Sequence, residues 1–398
     1  MESWARLVLG AALFLCLSCG GDKGTGGGSS QTWEETFPRS GSINAIVRAS
    51  DGGYIAVGTG DATYSYSPHV FVFKIDSTGH RVWEDVFGTT GLDVAAAIAP
   101  VGAGGYIIAG TINTQSERHL DASLIRVDVA GNRMWEKTYG GLGDDQAFAV
   151  SSLPGGGFVF AGVSDPSGRF QPRVWVVAVN ADGNTLWNRT YGDPYAGQGN
   201  AIAIDPHGSI LVAGAINWPG VLGFPGSDNV FLARLNQDGD TTWQRTFGGS
   251  EADSALSIAL TSDGGCVMAG ETYSFGQGMG DVYLLDADSS GNRAWQRTFG
   301  WLDWDRGNGI AATLDGGYAI AGTTRPLGSK GKDDAYVVKT DGSGHEAWER
   351  TFGVAGNDGF VCVLPTPDGG YLLGGYKASS HAGQTDFYLV KTDSHGNL

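Results

Sequence analysis

A short aromatic motif returns at near-constant intervals and limits what this chain can fold into. It consists of Trp, three residues and then Phe or Tyr, usually followed by Gly, and it begins at Trp33, Trp83, Trp135, Trp187, Trp243, Trp295 and Trp348. The intervals between these tryptophans are 50, 52, 52, 56, 52 and 53 residues. A repeat of this length indicates an array of one supersecondary unit. We therefore treat residues 32–398 as one array rather than as several unrelated domains.

Each repeat predicts four short strands. In the third repeat, strands begin at Asp145, Phe158, Arg173 and Leu186, and the tight turn Pro154–Gly157 separates the first two. Apolar residues alternate or form runs of strand length, and no helical periodicity is present. The sequence therefore predicts an all-β fold, a seven-bladed β-propeller built from four-stranded antiparallel blades.

Glycines at fixed positions mark the turns of every repeat. The turn between the third and fourth strands contains Gly79, Gly131, Gly183, Gly239, Gly291, Gly344 and Gly396. A tight hairpin turn needs glycine where φ is positive, so these residues are predicted to be structural. First strands carry small residues, which indicates that they lie nearest the propeller axis, where neighbouring strands are crowded.

The two ends of the array complement each other. The chain ends at Leu398, where a fourth strand should begin, and Trp33–Phe37 forms a fourth strand without the three that normally precede it. We expect the N-terminal strand to complete the last blade and close the ring. Such closure would also cover the edge that an open array exposes.

The first residues have the pattern of a targeting segment. An apolar run, Leu7–Leu17, precedes Leu17-Ser18-Cys19-Gly20, an ending that resembles a bacterial lipobox. By this resemblance residues 1–18 are a lipoprotein signal peptide, Cys19 is the lipid anchor, and 19–31 form a Gly/Ser-rich tether. The expected location is the bacterial cell envelope, at the outer membrane. The alternative is an ordinary cleaved signal peptide with incidental cysteines.

The charge composition limits which molecules the protein can bind. The chain has 25 basic and 42 acidic residues, a formal net charge of -17. This charge opposes binding to nucleic acid or to anionic lipid, so the membrane should be contacted through the lipid anchor only. We expect a monomer. Cys266 and Cys362 belong to different repeats, which predicts two buried free thiols and no disulfide.

The repeat pattern resembles a known family. The combination of TFGG, DGGY and Asp-x-x-Gly-x-x-x-Trp, spread over residues 32–398, is similar to the bacterial seven-bladed propeller repeat proteins, which are often lipoproteins. The last element is also similar to the tryptophan-docking motif of pyrroloquinoline quinone dehydrogenases. Those enzymes use eight blades and a cofactor pocket that does not map onto this sequence. The resemblance implies a fold and leaves the function open.

Loops that do not repeat are the expected binding region, because variable loops on a rigid scaffold commonly bind ligands. Tryptophans outside the repeat position fall in these loops. The candidate ligand-binding residues are Trp218, Tyr273, Trp301 and Trp304. They could stack on a sugar or a peptide side chain, or they could fill gaps between loops.

Carboxylates recur where the first strand of a blade begins. The candidates for the channel mouth are Asp93, Asp145, Asp253, Asp305 and Asp358, and Gly41 and Gly199 take this position in the other two blades. Such carboxylates could accept hydrogen bonds from nearby amides, or they could form a ring that binds a cation such as calcium. The sequence predicts no other metal site and no cofactor.

The leading functional hypothesis is a non-enzymatic, membrane-anchored propeller that binds a glycan, peptide or protein partner through its variable loops. One alternative is a propeller enzyme, a quinone-dependent dehydrogenase or a hydrolase, with its site at the channel mouth. Another is an assembly scaffold without a small ligand.

Overall fold

The computed structural model describes residues 31–398 except 62–67, 89–90, 103, 114–118, 166–170, 193–195, 218–227, 326–331 and 380–383. The described residues form strands and turns, and no helix occurs among them. This part of the chain accordingly contains no helix of the length and hydropathy that a membrane span requires. The predicted all-β class is confirmed.

The described part of the chain has twenty-seven strands, which follow one another in six groups of four and a last group of three. We call each group a blade. Blade 1 contains β1 (Trp33–Arg48), β2 (Tyr54–Asp61), β3 (Pro68–Ile75) and β4 (Arg81–Phe87). Blade 2 contains β5 (Asp93–Pro100), β6 (Tyr106–Asn113), β7 (Leu120–Val127) and β8 (Arg133–Tyr139). Blade 3 contains β9 (Asp145–Ser152), β10 (Phe158–Ser164), β11 (Arg173–Val179) and β12 (Thr185–Tyr191). Blade 4 contains β13 (Gly197–Ile204), β14 (Ile210–Asn217), β15 (Asp228–Leu235) and β16 (Thr241–Phe247).

Three further blades complete the chain. Blade 5 contains β17 (Asp253–Leu260), β18 (Cys266–Thr272), β19 (Asp281–Ala287) and β20 (Arg293–Phe299). Blade 6 contains β21 (Asp305–Ala312), β22 (Tyr318–Thr324), β23 (Asp334–Thr340) and β24 (Glu346–Phe352). Blade 7 contains β25 (Gly359–Pro365), β26 (Tyr371–Ala378) and β27 (Thr385–Thr392). Blades 2 to 6 are separate four-stranded antiparallel sheets.

The first strand belongs to two blades. Its N-terminal half pairs with β27, from Trp33 opposite Lys391 to Ser40 opposite Asp386. Its C-terminal half pairs with β2, from Gly41 to Arg48. Blades 7 and 1 are therefore joined in one seven-stranded sheet, in the order β25-β26-β27-β1-β2-β3-β4. The sequence predicted a strand at residues 33–37 but not its uninterrupted continuation into blade 1.

Apolar side chains are buried between blades rather than in one central core. Seven clusters of buried residues each combine side chains of two neighbouring blades. Between blades 1 and 7, for example, the rings of Phe71 and Phe73 lie 5.3 and 5.1 Å from that of Phe387. Each fully buried Phe contributes roughly 1.5–3 kcal/mol by removal from water. Contacts between blades therefore supply much of the stability.

The repeat tryptophans pack on the turn glycines. Each indole contacts the glycine of the third-to-fourth turn in the next blade, as Trp295 contacts Gly344 and Trp33 contacts Gly79. A Cβ atom on any of the seven glycines would lie within 2.4–3.0 Å of that indole ring. All seven glycines have positive φ, between 75° and 96°. The prediction that these glycines are structural is confirmed, and each repeat tryptophan packs on a neighbouring blade.

Every first strand contains a one-residue bulge at the same place. The extra residues are Asn44, Ala96, Phe148, Asn200, Leu256, Asn308 and Val361. In blade 2 the bulge lies three residues after Asp93, so Gly197 holds the equivalent position in blade 4. The assignment of Gly199 to that position was wrong by two residues, because repeat spacing alone does not locate a bulge.

The two cysteines of the blades are both free thiols. Cys266 is buried, and this burial raises the pKa of its thiol to about 12. Cys362 is only partly buried because it lies in β25 next to the bulge and lines a central cavity. The prediction of two buried thiols was therefore wrong for Cys362.

Candidate functional site

A cavity of about 310 Å³ lies where the seven first strands meet. Its described lining combines aliphatic groups with neutral polar side chains, and Asn44, Asn200 and Asn308 supply the amides. Their Nδ2 atoms donate to the carbonyl oxygens of Ala95, Ala255 and Phe360 in the first strand of the next blade, at 2.6, 2.8 and 2.9 Å. These amides tie neighbouring blades together at the axis.

The predicted channel-mouth carboxylates are not among the residues lining this cavity. Asp93, Asp145, Asp253, Asp305 and Asp358 are all at most 2% exposed. Four of them accept a hydrogen bond from the amide four residues earlier, at 2.6–2.8 Å, and these amides belong to Gly141, Gly249, Trp301 and Val354. Each of these carboxylates therefore fixes the loop that enters its own blade.

Burial affects the ionisation of these carboxylates. It raises the pKa of Asp145 and of Asp305, although hydrogen bonds to both oppose the shift. No group of three or more His, Cys, Asp or Glu side chains in the described part of the chain is arranged to hold a metal ion. The described contacts of these carboxylates are hydrogen bonds that stabilise the conformation of the adjoining loops.

Three of the four candidate aromatic residues lie in two contacting loops on the variable-loop side of blades 5 and 6. Tyr273, Trp301 and Trp304 are 45%, 42% and 45% exposed, and we call them the aromatic platform. Met279 and Leu302 in the same two loops are 59% and 56% exposed. Trp218 and Cys19 lie outside the described residues.

Two adjacent loops form the platform and contact each other. The β18–β19 loop reaches the β20–β21 loop at Gly280, which forms a parallel bridge with Trp304. The carbonyl oxygen of Gly280 accepts a hydrogen bond from the amide of Asp305 at 2.9 Å. Gly278 approaches the carbonyl oxygen of Trp301 so closely that a Cβ atom would lie only 2.7 Å from it. Glycine therefore allows the two loops to pack together.

Two buried carboxylates and one partly buried ion pair hold the platform in position. Asp305 accepts a hydrogen bond from the Trp301 amide, and Asp281 accepts one from the Gln277 amide at 3.3 Å. The guanidinium of Arg325 lies 4.8 Å from the centre of the Trp304 ring and donates to Asp333 at 2.8 Å. Because the loops are already ordered, a ligand would not have to supply the free energy of ordering them.

The platform is a departure from the repeat. In equivalent loops the position of Trp301 is occupied by Gly141, Gly249 and Val354, and that of Trp304 by Asp144, Ala252 and Asn357. Exposed aromatic groups in one patch commonly mark an interaction site. The sequence pointed to Trp301 and Trp304 but missed Arg325, because that contact joins loops that are distant in sequence.

Charged residues lie beside the platform. The side chains of Glu271 and Arg306 form an ion pair with a distance of 3.5 Å between Oε2 and Nε. Ser274 links the β18–β19 loop to the neighbouring β16–β17 loop. Its hydroxyl donates to the carbonyl oxygen of Glu251 at 3.1 Å and accepts from the Glu251 amide at 3.0 Å. The site thus combines aromatic faces with carboxylates at its rim.

Comparison with solved structures supports the propeller architecture. The WD40 domain of Pan2 from Neurospora crassa matches with a TM-score of 0.57 and 11% identity, covering 93% of this chain and 98% of that one. Drosophila Semaphorin 2a matches with a TM-score of 0.55 and 7% identity, covering 92% and 75%. At these identities the likeness shows the fold alone. No protein-family model matches the sequence, and the curated proteins include no significant match.

Proposed function

We propose that this protein is a lipid-anchored binding protein of the bacterial cell envelope that holds a glycan, peptide or protein partner on its aromatic platform. The observation that carries the proposal is the group of three half-exposed aromatic rings on loops that buried carboxylates and glycines fix in place. Exposed Trp and Tyr lose little conformational entropy on binding and bury a large area, so they often dominate binding energy.

The scaffold of this binding protein is, in our proposal, a closed seven-bladed ring. Three observations support closure. The N-terminal half of β1 pairs with β27, Trp33 packs on Gly79 as the other repeat tryptophans pack on their glycines, and a buried cluster lies between blades 7 and 1. In a closed ring every blade packs against a blade on each side, and no blade face or sheet edge is left open between the two ends of the array. The platform loops would therefore sit on a rigid support.

Attachment through Cys19 would place the platform at a membrane surface. The lipobox-like ending at Cys19 and the Gly/Ser-rich residues after it support this part of the proposal. A Cys19→Ser variant should move from the membrane fraction to the soluble fraction of cells. Unchanged partitioning of that variant would remove the anchor from the proposal and leave the binding role unaffected.

The binding role is tested with glycan and peptide arrays probed by the full chain in detergent. The test variant is Trp301→Ala combined with Trp304→Ala, and the control is Val354→Ala. Val354 takes the Trp301 position in the next loop and is 51% exposed. We expect array signals that the double variant abolishes and the control retains. Signals that survive in the double variant would show that the platform is not the binding site.

A further inference from the structure

The charge around the aromatic platform is negative. Four carboxylates lie in the platform loops, in the loops beside them or at the adjoining strand ends, namely Glu251, Glu271, Asp303 and Asp333. The cations there are Arg306, Arg325 and Lys332. Both guanidiniums are already paired, with Glu271 and Asp333 respectively. Glu251 and Asp303 form no salt bridge with any described residue. Lys332 also forms no salt bridge with a described residue, so the unpaired charge beside the platform is two carboxylates against one ammonium group.

The chain repeatedly stacks guanidinium groups on indole rings. Arg245, Arg297 and Arg350 lie 5.5–5.7 Å from the ring centres of Trp243, Trp295 and Trp348, and Arg325 lies 4.8 Å from that of Trp304. The face of an aromatic ring carries negative potential and attracts a cation. Within the described residues no cation lies over the rings of Trp301 or Tyr273. These two rings remain open to a cation from outside.

We infer that the platform takes a basic segment of a protein partner, whose arginine or lysine side chains stack on Trp301 and Tyr273 and pair with Asp303 and Glu251. This inference rests on the proposed function and names the chemistry of its partner. The net charge of -17 favours the approach of a cationic partner over long distances. The neighbouring exposed side chains of Met279 and Leu302 would contact the aliphatic parts of the same segment.

The first measurement is fluorescence anisotropy with the full chain in detergent and labelled short glycine-serine peptides. One peptide carries arginine, a second lysine, and a third citrulline, which has the shape of arginine without its charge. We expect the arginine and lysine peptides to bind, and the citrulline peptide to bind at least several-fold more weakly. Raising the salt concentration well above ~0.1 M should weaken the binding of the charged peptides.

Separate variants test the stacking on Trp301 and the pairing with the two carboxylates. Trp301→Ala should weaken binding of the arginine peptide by roughly 2- to 30-fold, the range expected for one cation–π contact. Asp303→Asn with Glu251→Gln should weaken binding and reduce its salt dependence. Val354→Ala should bind as the unaltered chain does, because it changes the equivalent loop of the next blade.

The outcomes separate this inference from the proposed function. If the citrulline and arginine peptides bind equally, or if only glycans bind and Trp301→Ala with Trp304→Ala abolishes that binding, the basic partner is excluded and the binding role stands. If the arginine peptide binds the double tryptophan variant as well as the unaltered chain, neither the inference nor the platform survives. Failure of the arginine peptide to bind at millimolar concentration also overturns the inference.

Discussion

The two faces of the molecule follow opposite rules. The tight-turn face, formed by the first-to-second and third-to-fourth turns, repeats one arrangement from blade to blade. In blade 1, for example, Asp76 Oδ1 accepts hydrogen bonds from the amides of Thr78 and His80 at 2.9 and 3.0 Å, and the indole of Trp33 packs on Gly79. On the variable-loop face the aromatic platform departs from the repeat. Repetition thus accompanies stability, and departure from it accompanies a candidate binding site.

One position on the tight-turn face also departs from the repeat. In most blades a third-strand cation pairs with an aspartate in or next to the first-to-second turn, as Lys339 pairs with Asp315 at 2.9 Å and Lys391 with Asp368 at 2.8 Å. Blade 5 instead has Asp286 near Asp263. Burial and the two neighbouring aspartates, Asp263 and Asp288, raise the pKa of Asp286 to about 6. The ionised carboxylate of Asp286 therefore destabilises the folded state at neutral pH.

The largest effect should come from removing the strand that joins the ends of the chain. Deletion of residues 32–37 removes the pairing with β27 and the contact of Trp33 with Gly79. We expect the free energy of unfolding to fall by at least ~3–5 kcal/mol, the cost typical of a lost large aromatic side chain, with one cooperative transition in urea. Deletion of residues 24–30 is the control. A fully stable 32–37 truncation would contradict the closed ring.

The next effect compares two glycines of blade 6 with almost the same φ. Gly344 has φ 76° and would place a Cβ atom 2.4 Å from the Trp295 ring, whereas Gly316 has φ 82° and nothing within 4 Å. Gly316→Ala should cost about 1–2 kcal/mol for backbone strain alone. Gly344→Ala should cost about 2–4 kcal/mol because the indole must also move. Equal melting temperatures for the two variants would argue against the indole–glycine contact as a stabilising feature.

A smaller, pH-dependent effect is expected at Asp286. Its pKa of about 6 in the folded state exceeds the ordinary 3.8, so the folded protein binds more protons and loses stability as pH rises from about 4 to about 6. Asp286→Asn should remove this loss and be more stable than the unaltered chain by about 1–3 kcal/mol at pH 7. Urea titrations at pH 4 and pH 7 measure the difference. A stability difference independent of pH would contradict the shifted pKa.

The smallest effect on stability is expected on the variable-loop face. Trp301→Ala removes a 42% exposed side chain and should change the free energy of unfolding by at most about 1 kcal/mol. Trp295→Ala, in strand β20 just before the loop that contains Trp301, is the matched comparison and should cost about 3 kcal/mol because that indole packs on Gly344. Thermal melting of both variants measures the contrast. A similar loss in both would mean that Trp301 is a structural residue.

The repeat explains which parts of the structure could be predicted. Strand order, turn glycines and the packing of the repeat tryptophans follow from local periodicity, which is the same in every blade. The bulge at Asn200 and the partial exposure of Cys362 could not be predicted, because they depend on how the first strands fit around the axis. The stack of Arg325 on Trp304 joins two loops across blade 6, and no periodic signal marks it.

Hydrogen–deuterium exchange of the full chain, with and without a bound partner, tests the division between the faces most directly. The partner is one whose binding is lost in the Trp301→Ala, Trp304→Ala variant. The account predicts slower exchange at residues 273–280 and 300–305 on binding, with unchanged exchange in the tight turns such as 76–80 and 313–317. Protection confined to the tight turns, with none in the platform loops, would contradict it.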